Sequence, residues 1–310
     1  MQLVRSMKKL FLFLLLAFSI SVFSEESDPF PNGIEEPAPS STPLHPFAIS
    51  GDFFFVKKAH FRDKDIEDET ISYGQIDAAF AYTHACNPYC GFIFGAGYVG
   101  SKVDWDENPF FSEKYFNYVS FQVGAFTRAE ENWMWTLNAN MFIDTEILDL
   151  ADYALYQAVL WGKYKWFDCL RLDVGFILEV GLSKEKIWPI LGFEFAPYPE
   201  KWSLTVIYPI DISFEYYLSK MWTAGASIRF IRNRHRVRES EPLPRGIFEY
   251  QATGAEFDLT FQPFSWFFVT GFVGSTFLGD LKITNANNHD AQFFKFDGSL
   301  YAGVSAVLAY

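Results

Sequence analysis

Short and long connections alternate along almost the whole of this chain. Short turn signals stand at "ACNPYCG" (85–91), "RAEEN" (128–132), "KWFDC" (165–169), "APYPEK" (196–201), "LSK" (218–220) and "QPFS" (262–265). Between them lie longer polar connections at 59–70, 104–114, 144–151, 182–188, 232–246 and 280–294, and a brief "YPID" at 208–211. The segments they separate alternate with a period of two, which is the period of a strand. Trp133, Trp135, Leu137, Ala139 and Met141 oppose Thr136, Asn138 and Asn140; Leu170, Leu172, Val174, Phe176 and Leu178 oppose Arg171, Asp173, Gly175 and Glu179. One apolar face, one polar face and alternating loop lengths describe a transmembrane antiparallel up-and-down β-barrel with short periplasmic turns and longer external loops. Counting segments from Phe47 to Tyr310 gives about 14 strands (12–16), an even number that returns both ends to the same side.

A competing reading is a membrane helix in "LTFQPFSWFFVTGFVGSTFLG" (259–279), which carries no charge and is long enough to span. Pro263, Gly271, Gly274 and the many Phe, Val and Thr residues favour a hairpin turning at "QPFS". In "FEYQATGAEFDLTF" the alternation slips around Gly254, as it does at a β-bulge.

The first 24 residues join a basic start (Arg5, Lys8, Lys9) to an apolar run, Leu10–Ile20, and end in small residues near Ser24. This is the plan of a secretory signal peptide for Sec-type export. Residues 25–46, rich in Pro, Ser and acid, cannot bury a core and read as a flexible periplasmic leader. The barrel occupies 47–310, and the expected location is the outer membrane of a Gram-negative cell. Losing Arg5, Lys8 and Lys9 takes the formal charge from −13 to −16, which disfavours nucleic acid as a partner. Aromatic residues make up 20% of the chain, 36 of them Phe, and interfacial aromatics on a β scaffold account for that excess.

The last segment, "LYAGVSAVLAY", places Leu300, Ala302, Val304, Ala306, Leu308 and Tyr310 on one apolar face. In a closed barrel such a strand pairs with the first and leaves no bare edge. Its terminal aromatic, Tyr310, resembles the C-terminal signal read by the barrel assembly machinery, a partner that this resemblance implies; most such signals end in Phe. The stretch "WPILGFEFAPYPEKWSLTVIYPIDISFEYYLSKMWTAGAS" resembles a pattern in uncharacterised outer-membrane barrels of Gram-negative bacteria. The Phe-rich, Cys-containing character is similar to envelope proteins of chlamydia-type bacteria. The resemblance implies fold and compartment, with no activity attached.

Cys86 and Cys90 flank one periplasmic turn and Cys169 lies in another. An oxidising compartment allows either a Cys86–Cys90 disulfide, with Cys169 left for an intermolecular partner, or three reduced thiols. His45, His60, His84, His235 and His289 show no metal-ligand spacing and no nucleophile beside them, and His60, His235 and His289 fall in expected outer loops. Neither an enzyme nor a cofactor is expected.

Alternation puts Asp52, Asp77, Asp144, Asp173, Glu179, Glu194, Asp211, Glu215, Glu249, Glu256, Asp258 and Asp297 inside, against few bases, chiefly Arg128, Arg171 and Arg229. A wet, acid-lined pore favours cations. The sharpest basic feature, "RFIRNRHRVRESEPLPRG", carries Arg232, Arg234, Arg236 and Arg238 in the longest expected outer loop. Three readings stay open for it: a solvated loop, a binder of lipopolysaccharide phosphates or sulfated polysaccharide, or an inward fold that neutralises wall acids and narrows the pore. Two function classes follow: a porin-like channel or transporter for small solutes, and a structural or adhesive surface barrel acting through its loops.

Overall fold

The computed structural model describes residues 46–310 except Pro88, Glu131 and Glu200. The expected signal peptide and leader lie outside the described residues. Fifteen strands form one antiparallel sheet: β1 (Phe47–His60), β2 (Thr70–Asn87), β3 (Cys90–Trp105), β4 (Tyr115–Glu130), β5 (Trp133–Asp144), β6 (Leu155–Phe167), β7 (Leu170–Gly181), β8 (Lys184–Tyr198), β9 (Trp202–Tyr208), β10 (Asp211–Tyr217), β11 (Trp222–Arg236), β12 (Ile247–Phe264), β13 (Phe267–Thr284), β14 (Gln292–Phe296) and β15 (Leu300–Ala309). Fourteen of them close a barrel, because β15 pairs with both β1 and β13; β14 pairs with β13 and meets the end of β1 through a single bridge, Phe61↔Phe296.

Closure follows from the alternation. Ser305 meets Asp52 across the β1–β15 seam, and Val304 meets Phe53, so polar residues share one face and apolar residues the other. Outside, Phe53, Phe80, Phe94, Phe121, Val273 and Val304 are all exposed. A continuous apolar girdle of this kind is too large for a water-facing surface and suits hydrocarbon. No helix of the described residues is long and apolar enough to cross a membrane, and 259–279 is the β12–β13 hairpin.

All six short turns fall where the sequence places them, and these form one end of the barrel, the turn end. At the other end, the loop end, two expectations are corrected. Residues 182–188 are not a long connection: Leu182 (φ 47°) and Ser183 (φ 58°) make a two-residue hairpin turn of the kind that matches strand twist, and β8 starts at Lys184. Segment 232–246 is a loop only from Val237 onward, since β11 runs through Arg236 and pairs with β12 as far as Arg236↔Ile247.

The barrel wall is uneven. β9 and β10 have seven residues each, so β11 pairs with β10 only up to Ile228↔Ile212, and β8 pairs with β9 only from Leu191. On the other side, β13 leaves β15 after Ser275↔Leu300. The register of β12 against β13 shifts between Thr253 and Gly254, with Phe277 the extra residue. A bulge bends its strand. Above that point, the loop-end parts of β11, β12 and β13, with β14, form a four-stranded sheet. Its β14 edge is bonded to the end of β1, where the Arg62 N–H donates to the Lys295 carbonyl and the Asp297 N–H to the His60 carbonyl, both at 2.8 Å. Its β11 edge pairs with no wall strand beyond Ile228.

This inner sheet leans over the barrel interior. Residues on both of its faces are buried: Ile231, His235, Phe248 and Tyr250 on one, Arg234, Arg236, Ile247 and Glu249 on the other. The first face joins Phe54, Tyr73, Trp105 and Phe116 of β1–β4 in the main hydrophobic core, so this barrel has its core at the loop end.

Candidate functional site in the barrel interior

Two zones divide the interior. In the turn half, Arg229 on β11 is the hub of a carboxylate group. Its Nε and Nη2 donate to the two oxygens of Glu256 at 2.8 and 3.1 Å, and its Nη1 lies 3.8 Å from Asp52. The guanidinium also covers Phe272 at 4.1 Å from the ring centre. Gln75 Nε2 donates to Asp77 at 2.6 Å, and a cavity of about 130 Å³ opens among Asp52, Gln75, Asp77, Arg229 and Arg232.

Asp258 has Glu215, Glu256 and Asp211 as acidic neighbours. It lies over Gly225, where a Cβ would come within 2.4 Å of its oxygens. Hydroxyls serve the others: Ser213 donates to Asp211 at 3.1 Å, and Tyr217 to Glu215 at 3.0 Å. Asp173 accepts from Trp161 Nε1 at 2.8 Å, and Lys163 donates to Glu194 at 2.6 Å.

The loop half is closed by contacts between opposite walls. Tyr73 on β2 stacks on Tyr250 on β12, ring centres 4.3 Å apart and planes 8° apart. Asn233 Nδ2 on β11 donates to Tyr73 at 2.8 Å and to Ser101 on β3 at 2.5 Å. Tyr118 on β4 donates to the Arg234 carbonyl at 3.3 Å. His235, expected in a solvated loop, is fully buried and stacked on Phe116 and Tyr118, at 5.0 and 4.8 Å. The expectation failed because it ended β11 too early. His60 is the last residue of β1, and His289 is in the β13–β14 loop.

The opposite face of the inner sheet carries the arginines. Arg232, Arg234 and Arg236 are on β11, and Arg238 alone of the four is in the loop. Arg232 pairs with Glu249 at 2.8 Å, and Glu249 also binds Lys184 at 3.4 Å and Lys186. Arg234 pairs with Glu179 on β7 at 3.2 Å and donates to the Gly181 carbonyl at 2.9 Å. Arg236 donates to the carbonyls of Asp152, Arg245 and Ala286 at 2.8, 2.9 and 3.0 Å. Glu215 and Asp211, two of the wall acids that an inward-folded arginine run was expected to neutralise, lie on β10 in the turn half instead.

The interior bases that sequence reasoning missed are Lys163, Lys184 and Lys186. For the last two the signal was present: in "KEKIW" Lys184, Lys186 and Trp188 share one face, but the charges read as a loop.

Loops seal the closed end. Arg238 binds Glu113 at 3.1 Å and also Glu146, and Glu241 accepts from the Ser112 backbone N–H at 2.6 Å. Burial pushes the Glu113 carboxyl above its usual range, with Arg238 opposing. Lys58 and Thr70 donate to Asp106 at 2.7 and 2.5 Å and hold it below the usual carboxylate range.

At the turn end, Asn87 faces Cys90 across the β2–β3 turn, and Cys169 sits in the β6–β7 turn. Cys86, Cys90 and Cys169 are free thiols. Tyr310 follows β15, and its N–H donates to the Phe47 carbonyl at 2.7 Å. Among the described residues no group of three or more His, Cys, Asp or Glu side chains could hold a metal ion.

No protein-family model matches the chain. It is 30% identical over 293 residues to an uncharacterised protein of Chlamydia pneumoniae, covering 90% of this chain and 92% of that one. An uncharacterised protein of Chlamydia muridarum is 32% identical over 285 residues, covering 86% and 88%. Among solved structures it is similar to the COG4313 outer membrane channel from Pseudomonas putida F1, at 7% identity and a TM-score of 0.47, covering 89% of this chain and all of that one.

Proposed function

The chain belongs to the family of these chlamydial proteins, and we propose that it is an outer-membrane channel for small polar solutes, closed at its outer mouth by the inner sheet. The turn end faces the periplasm, and residues 1–24 direct Sec-type export. Outer-membrane lipid, lipopolysaccharide and the barrel assembly machinery are its partners, and Cys169 is available for an intermolecular disulfide.

One observation carries this reading: the polarity of the two zones differs. The turn half is acid-rich: Asp52, Asp77, Glu256 and Asp258 gather around Arg229, and Asp211 and Glu215 adjoin Asp258. The loop half is closed by non-covalent contacts of a sheet that no neighbouring wall strand holds at its β11 edge. An acidic inner vestibule behind a movable closure favours cations once open.

Planar-bilayer recording tests it. The wild-type chain gives infrequent, cation-selective openings. Glu249→Gln removes the carboxylate shared by Arg232, Lys184 and Lys186, frees the sheet from β8 and raises the open fraction. A silent wild type together with a silent variant rejects the channel.

The second reading is a surface barrel that works through its loops, supported by the apolar core that fills the loop half. It expects no conductance, and heparin retention that falls with added salt and is lost when Arg238→Gln is combined with Arg245→Gln, because these are the arginines of the basic run that stand on the loop.

A further inference from the structure

A strand that crosses a bilayer in a barrel needs about 9–11 residues. β9 and β10 have seven each, so their turn ends within the girdle while β8 and β11 continue past it. The wall therefore carries a notch, bounded by the unpartnered edges of Lys184–Ile190 on β8 and of the β11 stretch beyond Arg229. Pro189, which has no N–H to leave unpaired, stands on the β8 edge.

Apolar side chains ring the notch on the outside: Ile187, Leu191, Tyr208, Ile210 and Phe230 are all exposed. Behind it stands a basic cluster. The Arg232 guanidinium lies 4.3 Å from the centre of the Trp188 ring, and Lys184, Lys186 and Arg234 adjoin it; the carboxylates bound to them among the described residues are Glu179 and Glu249, and the Gly181 carbonyl also accepts from Arg234. Arg234 is 5% exposed, yet its Nε and Nη1 have no hydrogen-bond partner. Buried guanidinium donors without protein acceptors are rare and leave room for an acceptor from outside the chain.

We propose that the notch is a lateral portal that binds an amphiphile with one apolar chain and an anionic head. The chain lies along Ile187, Leu191, Tyr208 and Phe230 in the membrane. The carboxylate or phosphate enters between β8 and β11 and is held by Arg232, Arg234 and Lys186.

Calorimetric titration of the full mature barrel in a neutral detergent tests this, with laurate, dodecyl phosphate, dodecyltrimethylammonium and inorganic phosphate as probes. Laurate or dodecyl phosphate binds at least roughly tenfold more tightly than the cationic amphiphile. Preference for dodecyl phosphate points to a phosphate-headed membrane lipid, and preference for laurate to a free acid. Lys186→Gln and Arg232→Gln, each checked for folding by its heat-modifiable migration, weaken the preferred probe by roughly tenfold.

The head-group series uses the unmodified protein and stands even where a variant misfolds. Equal affinity for the cationic amphiphile, or undiminished binding by two folded variants, overturns the portal. So does inorganic phosphate binding as tightly as dodecyl phosphate, because the apolar chain then adds nothing. Channel conductance is a separate readout, so the portal and the channel can fail independently.

Discussion

Tyr73 shows how one side chain closes a barrel. It is fully buried, stacks on Tyr250, donates to Gln75 at 2.6 Å and accepts from Asn233. Tyr73→Phe keeps the stack and strands buried polar partners, at a cost of about 1–3 kcal/mol. Tyr73→Ala opens a cavity as well and costs about 3–5 kcal/mol. Urea unfolding in lipid vesicles ranks the two; a Tyr73→Phe variant as stable as the wild type contradicts the assigned hydrogen bonds. Asp106, exposed at the mouth, gives a pH prediction. Its folded pKa is depressed by Lys58 and Thr70, so its contribution is present above the ordinary value of about 3.9 and is lost as pH falls through the lowered one. A carbon-13 titration of this carboxyl reads a midpoint below the ordinary value, and Lys58→Gln moves it back up. A normal midpoint in the wild type removes the Lys58 contact.

Strand faces are the best-read elements, and the seam strand tests them with adjacent residues. Val304 is exposed to lipid, so Val304→Arg costs about 2–4 kcal/mol near mid-depth. Ser305 faces inward and meets Asp52, and Ser305→Arg costs less than about 1 kcal/mol because the new charge finds a carboxylate. Equal damage refutes the face assignment of β15. Periodicity and turn residues made the barrel, its strand number and the slip at Gly254 legible, because each is a local property. What stayed hidden is non-local. "KEKIW" looks like a loop until β7 supplies a partner through Leu182 and Ser183, which lack the usual Asn-Gly signal. "RNRHR" looks solvated until its alternation is seen to have two buried faces. Of the acidic set, Glu256, Asp258 and Glu215 keep the neighbourhood that alternation gives them, whereas Glu249 reaches the interior only because its strand folds inward.

At the scale of the whole molecule, an inner sheet crosses the barrel and shuts it. A close cross-wall contact is Asn233 to Ser101 at 2.5 Å, side chains of β11 and β3 that no wall pairing joins. Asn233→Cys with Ser101→Cys, in a background where Cys86, Cys90 and Cys169 are Ser, puts one thiol on each wall. A short bis-methanethiosulfonate linker then bridges them, and a planar bilayer reports the effect. Closure by this sheet gives near-complete bridging, silent barrels while the bridge holds, and recovery of cation-selective openings when a reductant cleaves it. Failure to bridge, with both thiols freely labelled from the outer solution, or conductance that persists in the bridged protein, contradicts it.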